Sequence, residues 1–333
     1  MTKLLLATLP LLLVACSHAP RPDLKPAWIS GADLQYPASR FLTGQGEADS
    51  QAVARDRARA DLAKNFSVNI REKSSDVASY AQKGDEPAAN AAKISRAITT
   101  QTDQLLRGVR IADIWQDPAT QQWFALAVLP RQRTAASLRE RIAKFDAATR
   151  AWLLQARSAQ DPIAKIAAAD RAVAAQMQRA ALQSELRVVD ATGRGVAAPW
   201  NLGELQADQT ALLARVVMTA AARGKDADKV QALLAGALAE AGFSVKSGAP
   251  YTMTAALDYN ILPPRNGWYW ITGTLSVSLD GANAAHGMKR WPLKVSATDP
   301  ALARQRLMGQ VAEDLHDGIR EAVLNFAETK AVD

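Results

Sequence analysis

The sequence predicts an α+β protein built from an N-terminal α+β domain, a central antiparallel helical hairpin and a C-terminal two-layer α/β sandwich. Three observations predict it. A four-residue stripe, Ala54, Ala58, Leu62 and Phe66, follows a short strand that runs into Gly44-Gln45-Gly46. Two successive seams of three- and four-residue steps meet at Asp161-Pro162. Two long alternating segments are joined by Pro263-Pro264-Arg265-Asn266-Gly267 and followed by one more amphipathic stretch. Steps near 3.6 mark helices and steps of 2 mark strands, so each stretch implies its own element.

The chain opens with Lys3 and an apolar segment from Leu4 to Ala15, interrupted only by Thr8 and Pro10. A spanning helix needs about 20 apolar residues, and this stretch is too short. Its basic, apolar, small-residue order is that of an export signal, so residues 1–15 are read as a signal peptide. Leu13, Val14 and Ala15 before Cys16 resemble the bacterial lipobox. Cys16 is the only cysteine, so no internal disulfide accounts for it. The resemblance implies a diacylglyceryl thioether on Cys16 and an acyl group on its amine; no other cofactor and no metal are expected. Each buried methylene contributes about 0.8 kcal/mol, so two or more chains hold firmly where one does not. Ser17 stands where Asp marks inner-membrane retention in proteobacterial lipoproteins, which implies the outer membrane, with the domains facing the periplasm. Cys16→Ser is therefore expected to release the protein from the membrane fraction, and unchanged retention on fractionation would refute lipidation.

Residues 16–26 carry Pro20, Pro22 and Pro26 without an apolar period and read as an extended linker. The first domain, 27–130, starts with a strand into the glycine pair and a helix from about Asp49 to Phe66, whose outer side holds Arg55, Arg57, Arg59, Asp61 and Lys64. A strand through Val68 and Ile70 follows, then a polar helix near 88–106. A hairpin of 109–115 with 123–129 turns at Asp117-Pro118-Ala119-Thr120. In 131–190, Leu138, Ile142, Phe145, Thr149, Trp152 and Ala156 form one seam and Ile163, Ile166, Asp170, Val173, Met177 and Ala181 the facing one. Pro162 suits the first position of the second helix. Gly193, Gly195, Pro199 and Gly203 mark a linker over 191–211.

The last domain, 212–328, begins with a buried strand over 212–218. A helix from Asp226 turns Val230, Leu233, Leu234, Ala237 and Leu238 inward, and Gly242 ends it as a left-handed cap. Strands follow at 243–245, 251–262, 268–279 and 291–295. After Asp299-Pro300 a final helix aligns Leu307, Val311, Leu315, Ile319, Val323 and Phe326.

The order Pro26-Ala27-Trp28, Gly44-Gln45-Gly46, the alanine-spaced helix and Trp123-Phe124-Ala125-Leu126-Ala127-Val128 resembles the LPP-20 family of envelope lipoproteins over residues 26–130. The resemblance implies an α+β domain, outer-membrane residence, no catalytic centre and, for some members, a role around the flagellum. The glycine pair is not a dinucleotide loop, because the third glycine and the ribose-binding acid are missing. The element order of the last domain is similar to that of periplasmic modules in TolB-type, curli-secretion and penicillin-binding-protein-activator proteins.

The formal charge is +7. An exported basic chain meets no chromosomal nucleic acid, so the partner class is the membrane it is anchored to and anionic envelope material: peptidoglycan, lipid phosphate or an acidic envelope protein. Residues 131–194 hold twelve Lys/Arg against six acids. Two readings stand: a solvated helix surface, or a weak, salt-sensitive envelope contact made by Arg139, Arg141, Arg150 and Arg157. Trp268 and Trp270 fall on the polar side of their strand with Thr272, Thr274, Ser276 and Ser278, opposite Tyr269, Ile271, Leu275, Val277 and Leu279. They either dock a partner or lie under a neighbouring loop or the helical hairpin.

No G-x-S-x-G elbow and no spare thiol offer a nucleophile. Of the histidines His18, His286 and His316, only the last has acids nearby, Glu313, Asp314 and Asp317, and no second histidine follows at ligand spacing. The expected function is a non-catalytic outer-membrane lipoprotein acting as a scaffold or binding component of the envelope. A regulator of peptidoglycan synthesis and an envelope-glycan enzyme are the alternatives. The first needs a longer tether than 16–26, and the second has no residues to name.

Overall fold

The computed structural model describes residues 25–31, 34–73, 108–281 and 287–328. The helix expected near 88–106 lies outside them. The chain divides into two compact units, one holding residues up to Lys64 and 109–129, the other 65–108 and 130 onward.

The first unit has a three-stranded sheet in the order β1-β3-β2, with β1 at Phe41–Ala48, β2 at Arg110–Gln116 and β3 at Trp123–Pro130. β2 and β3 pair antiparallel from Arg110 opposite Val128 to Gln116 opposite Trp123. Their turn is closed by Asp117, whose Oδ1 accepts from the Ala119 amide at 2.9 Å, the local bond that suits Asp to turns. Trp28 is buried against Leu126 and Val128, and its indole N–H donates to Asp113 Oδ2 at 2.8 Å.

Helix α1 spans Gln51–Lys73. Its stripe of Ala54, Ala58, Leu62 and Phe66 continues one step further to Ile70, and all five are buried. The strand expected at Val68 and Ile70 is therefore helix. Ile70 extends the four-residue step while Val68 is 43% exposed, so the longer period overrides a local β-branched alternation. The glycine pair is where this helix meets the sheet. A Cβ on Gly44 or Gly46 would come well inside 3.0 Å of backbone atoms of Ala54, Ala58 and Leu62.

The second unit opens with α2 (Arg131–Ser158) and α3 (Pro162–Val189), an antiparallel pair. Asp161 caps α3 by accepting from the Ile163 amide at 3.1 Å, with Pro162 in the first turn. Within the pair Leu138, Ile142, Thr149 and Ala156 are buried on α2, and Ile163, Ile166, Val173 and Ala181 on α3. Tyr251 also donates to Asp161 Oδ1, at 3.2 Å. Burial and the Asp161 carboxylate push its hydroxyl pKa up to about 12.

Next come α4 (Leu202–Arg215), β4 (Val217–Gly224), α5 (Ala227–Glu240), β5 (Ser244–Val245), β6 (Tyr251–Arg265), β7 (Trp268–Gly281), β8 (Gly287–Ala297) and α6 (Pro300–Glu328). The sheet order is β5-β4-β6-β7-β8. β4 runs parallel to β5 and β6, while β6, β7 and β8 are antiparallel neighbours. Helices α5 and α6 pack on one face over Met253, Ala255, Leu257, Ile271, Leu275 and Val277. The aligned face of α6, from Leu307 to Phe326, is buried as its period requires. Asp299 Oδ1 caps that helix from the Ala301 and Leu302 amides, at 2.8 and 3.0 Å.

Three boundaries differ from the sequence expectation. The stretch 212–218 is not one strand: Leu213 is buried at the end of α4 and Met218 is buried in β4. A short stretch, apolar but for Arg215, does not reveal its period. The linker expected over 191–211 ends at Asn201, whose Oδ1 caps α4 from the Gly203 and Glu204 amides at 2.9 and 3.3 Å, so Gly203 sits inside the helix. The hairpin and the sandwich are not separate domains, because Ile163, Ile166 and Ala167 of α3 join the same core as Leu213, Leu238 and Leu307.

Candidate functional site

Helical residues advance by about 100° each, so Arg139, Arg150 and Arg157 of α2 share one stripe, with Arg141 on the opposite side. That stripe faces the segment 190–201. The Arg139 guanidinium lies 3.2 Å from Asp190 Oδ1, and that of Arg150 stands 5.9 Å from the Trp200 ring centroid. Arg157 and Trp200 line an open cleft of about 640 Å³ between α2, α3 and α4.

The walls of this cleft carry three cations, Arg157, Lys165 and Arg215, and two carboxylates, Glu204 and Asp208, with the Trp200 indole beside them. A second hollow of about 370 Å³ shares Trp200 and is lined by Arg187 and Arg194. The chemistry on offer is recognition of an anion that also presents a flat or ring-shaped face. Cations attract the charge, the indole stacks on the ring, and the carboxylates accept from hydroxyl or amide groups.

The loop that places Trp200 is held from α3. Arg179, 3% exposed, contacts Asp146 Oδ1 through Nε at 3.0 Å and donates from Nη2 to the Val196 and Ala197 carbonyls at 3.1 and 2.8 Å. Gln183 accepts from the Val196 amide at 3.1 Å and donates to the Arg194 carbonyl at 3.2 Å. Gln176 donates to Thr149 Oγ1 at 2.9 Å, closing the same polar layer.

The four arginines singled out from sequence are thus separated. Arg139 and Arg150 are engaged by the loop, Arg141 is half-buried on the other side of the helix, and Arg157 alone lines the cleft. Sequence reasoning missed Lys165, Trp200 and Arg215, since they converge only when α4 folds back on α3. The one local signal was an aromatic residue directly before a helix-capping Asn in a Gly/Pro-rich stretch. Trp268 and Trp270 lie elsewhere, on the exposed end of β7: Trp268 is 43% exposed, and the Lys294 ammonium sits 5.4 Å from the Trp270 ring centroid. His316 Nδ1 is 2.9 Å from Glu240 Oε2, a partner on α5.

Among the described residues no group of three His, Cys, Asp or Glu is placed to hold a metal ion, and no helix is long and apolar enough to cross a membrane. Leu13, Val14, Ala15, Cys16, His18 and His286 lie outside those residues.

The backbone contact of Gly44 and Gly46 with α1, and Trp28 packed on β3, are the features on which the first unit is built. Residues 26–130 match the LPP20 lipoprotein family. The LPP20 segment is about a third of the chain and supports a lipoprotein of the cell envelope. Among solved structures, a candidate lipoprotein of Caulobacter crescentus is 20% identical, with TM-score 0.25, over 35% of this chain and 90% of that one. A minor lipoprotein of Acinetobacter baumannii is 10% identical, with TM-score 0.26, over 32% and 93%. A secreted protein of Helicobacter pylori is 14% identical, with TM-score 0.38, over 86% and 97%. Overlaps this loose carry no statement about activity. No curated protein matches the chain.

Proposed function

We propose that this protein is an outer-membrane lipoprotein, anchored through acyl groups on Cys16, that binds an anionic envelope polymer and acts as a scaffold component, not as a catalyst. The observation that carries this reading is the gathering of Arg157, Lys165 and Arg215 around Trp200 in one cleft. Peptidoglycan fits the cleft chemistry: its peptide stems present carboxylates, and its sugars present apolar ring faces and hydroxyls. The cations act over about 8 Å at physiological ionic strength, Trp200 takes a ring face, and Glu204 and Asp208 fix orientation.

The test is co-sedimentation of the full chain with isolated peptidoglycan at low ionic strength. Replacing Arg157, Lys165 and Arg215 together by Gln is expected to weaken binding at least about tenfold, equivalent to about 1.4 kcal/mol, and raising salt should weaken the parent protein similarly. Equal binding by parent and variant would refute the assignment.

A further inference from the structure

We propose that the tip of the β6–β7 hairpin is a membrane-contact element that seats in the headgroup region of an anionic phospholipid leaflet. It stands apart from the cleft and does not depend on the peptidoglycan reading. The geometry is that of a finger whose β6 edge is open, three-stranded as far as Tyr269 and two-stranded beyond it. The last β4–β6 pair joins Gly224 to Leu257, yet β6 continues to Arg265, a further run of roughly 25 Å at about 3.3 Å per residue. β8 follows β7 only as far as Ala297 opposite Tyr269. Beyond it the chain turns at Asn266-Gly267, with φ of 53° and 76°, the tight two-residue turn for which this pair is suited.

The tip is apolar on both of its faces. Ile261 is 45% exposed, Leu262 42% and Trp268 43%, and Pro263 and Pro264 between them are also exposed. Successive strand residues point to opposite sides, so Ile261 and Leu262 present apolar surface in two directions. A folded partner of fixed shape would have to offer a deep slot to cover both. A lipid interface closes around such a finger from every side.

The charge agrees. From Asn260 to Thr272 the only charged residue is Arg265. Lys294 stands over Trp270, and Arg306 donates to the Ser296 carbonyl, which is opposite Trp270. Asp299, the acid between β8 and α6, already accepts from two amides at its helix cap. Tryptophan and basic side chains around a small apolar tip suit the interface of an anionic leaflet, where apolar burial and headgroup attraction act together.

The test uses the full chain carrying Cys16→Ser, so that acyl groups do not mask the effect. Vesicles of phosphatidylglycerol with phosphatidylethanolamine are compared with vesicles of phosphatidylcholine alone. Leu262→Ser with Trp268→Ser is expected to reduce sedimentation with the anionic vesicles about tenfold, and Leu154→Ser, at a 58% exposed site on α2, to leave it unchanged. Arg265→Gln should narrow the preference for the anionic vesicles. Any binding outside the tip is common to all variants, so a residue-specific readout is added. Brominated lipid should quench parent fluorescence more than that of Trp268→Phe, which keeps an apolar side chain but removes the indole. Equal sedimentation of parent and tip variant together with equal quenching of parent and Trp268→Phe overturns the proposal. Loss of a crosslinked envelope protein in the tip variant, with vesicle binding unchanged, also overturns it and makes the tip a protein-docking surface.

Discussion

Replacing Gly46 by Ala is expected to unfold the N-terminal unit under conditions where the parent is folded. The added methyl would land well inside 3.0 Å of the Ala54 carbonyl oxygen and the Ala58 amide nitrogen, both backbone atoms of α1. A side chain can rotate away from an intruding carbon, but helix backbone cannot move without breaking its own ladder. Relief therefore requires α1 to lift off β1, which exposes Ala54, Ala58 and Leu62 together. Overpacking usually costs about 1–3 kcal/mol where side chains can adjust, and with backbone on the other side we expect the upper end or beyond, about 3–5 kcal/mol. Gly44→Ala should act in the same way through Leu62. Gly236→Ala is the control: its Cβ meets nothing within 4 Å, and alanine stabilises a helix interior by about 1 kcal/mol relative to glycine. Chemical denaturation of the three variants decides the matter. A Gly46→Ala midpoint equal to the parent's would show that α1 and β1 do not meet as described.

This contact also shows what was legible in the chain and what was not. The alanine spacing announced a helix lying close to its neighbour, and the glycine pair announced the neighbour, because both are local patterns set by period and side-chain size. The Asp161-Pro162 and Asp299-Pro300 caps were legible for the same reason. What escaped was set by folding back. Val68 and Ile70 look like strand in isolation, and only the extended four-residue step reveals helix. Leu212–Met218, apolar but for Arg215, is shared by two elements with different periods. The cleft was least visible: Arg157, Lys165, Trp200 and Arg215 come from three helices and a loop, and no spacing along the chain signals their convergence. The arginines of α2 looked alike in sequence, yet Arg139 meets Asp190, Arg150 meets Trp200 and only Arg157 faces the open cleft.

Removing the Asp146 carboxylate is expected to destabilise the second unit by about 3–5 kcal/mol, because it leaves the buried Arg179 guanidinium without its counter-charge. The loss has two parts that further variants separate. Asp146 ties α2 to α3, whereas the Nη2 bonds of Arg179 to Val196 and Ala197 tie α3 to the loop that carries Trp200. In Asp146→Ala the charge remains and the helices separate to admit water. In Asp146→Leu with Arg179→Met no charge is left to solvate, and exchanging a buried ion pair for apolar residues of similar volume is often neutral or stabilising, so denaturation should return close to the parent midpoint. Binding to peptidoglycan should not return with it. The Val196 and Ala197 carbonyls lose their donor in the double variant, and the loop is then held chiefly by Gln183. Stability and ligand affinity should therefore part company: low and low in Asp146→Ala, restored and still low in the double variant. Recovery of both together would mean that Arg179 serves only to join the helices and that the placement of Trp200 does not depend on it.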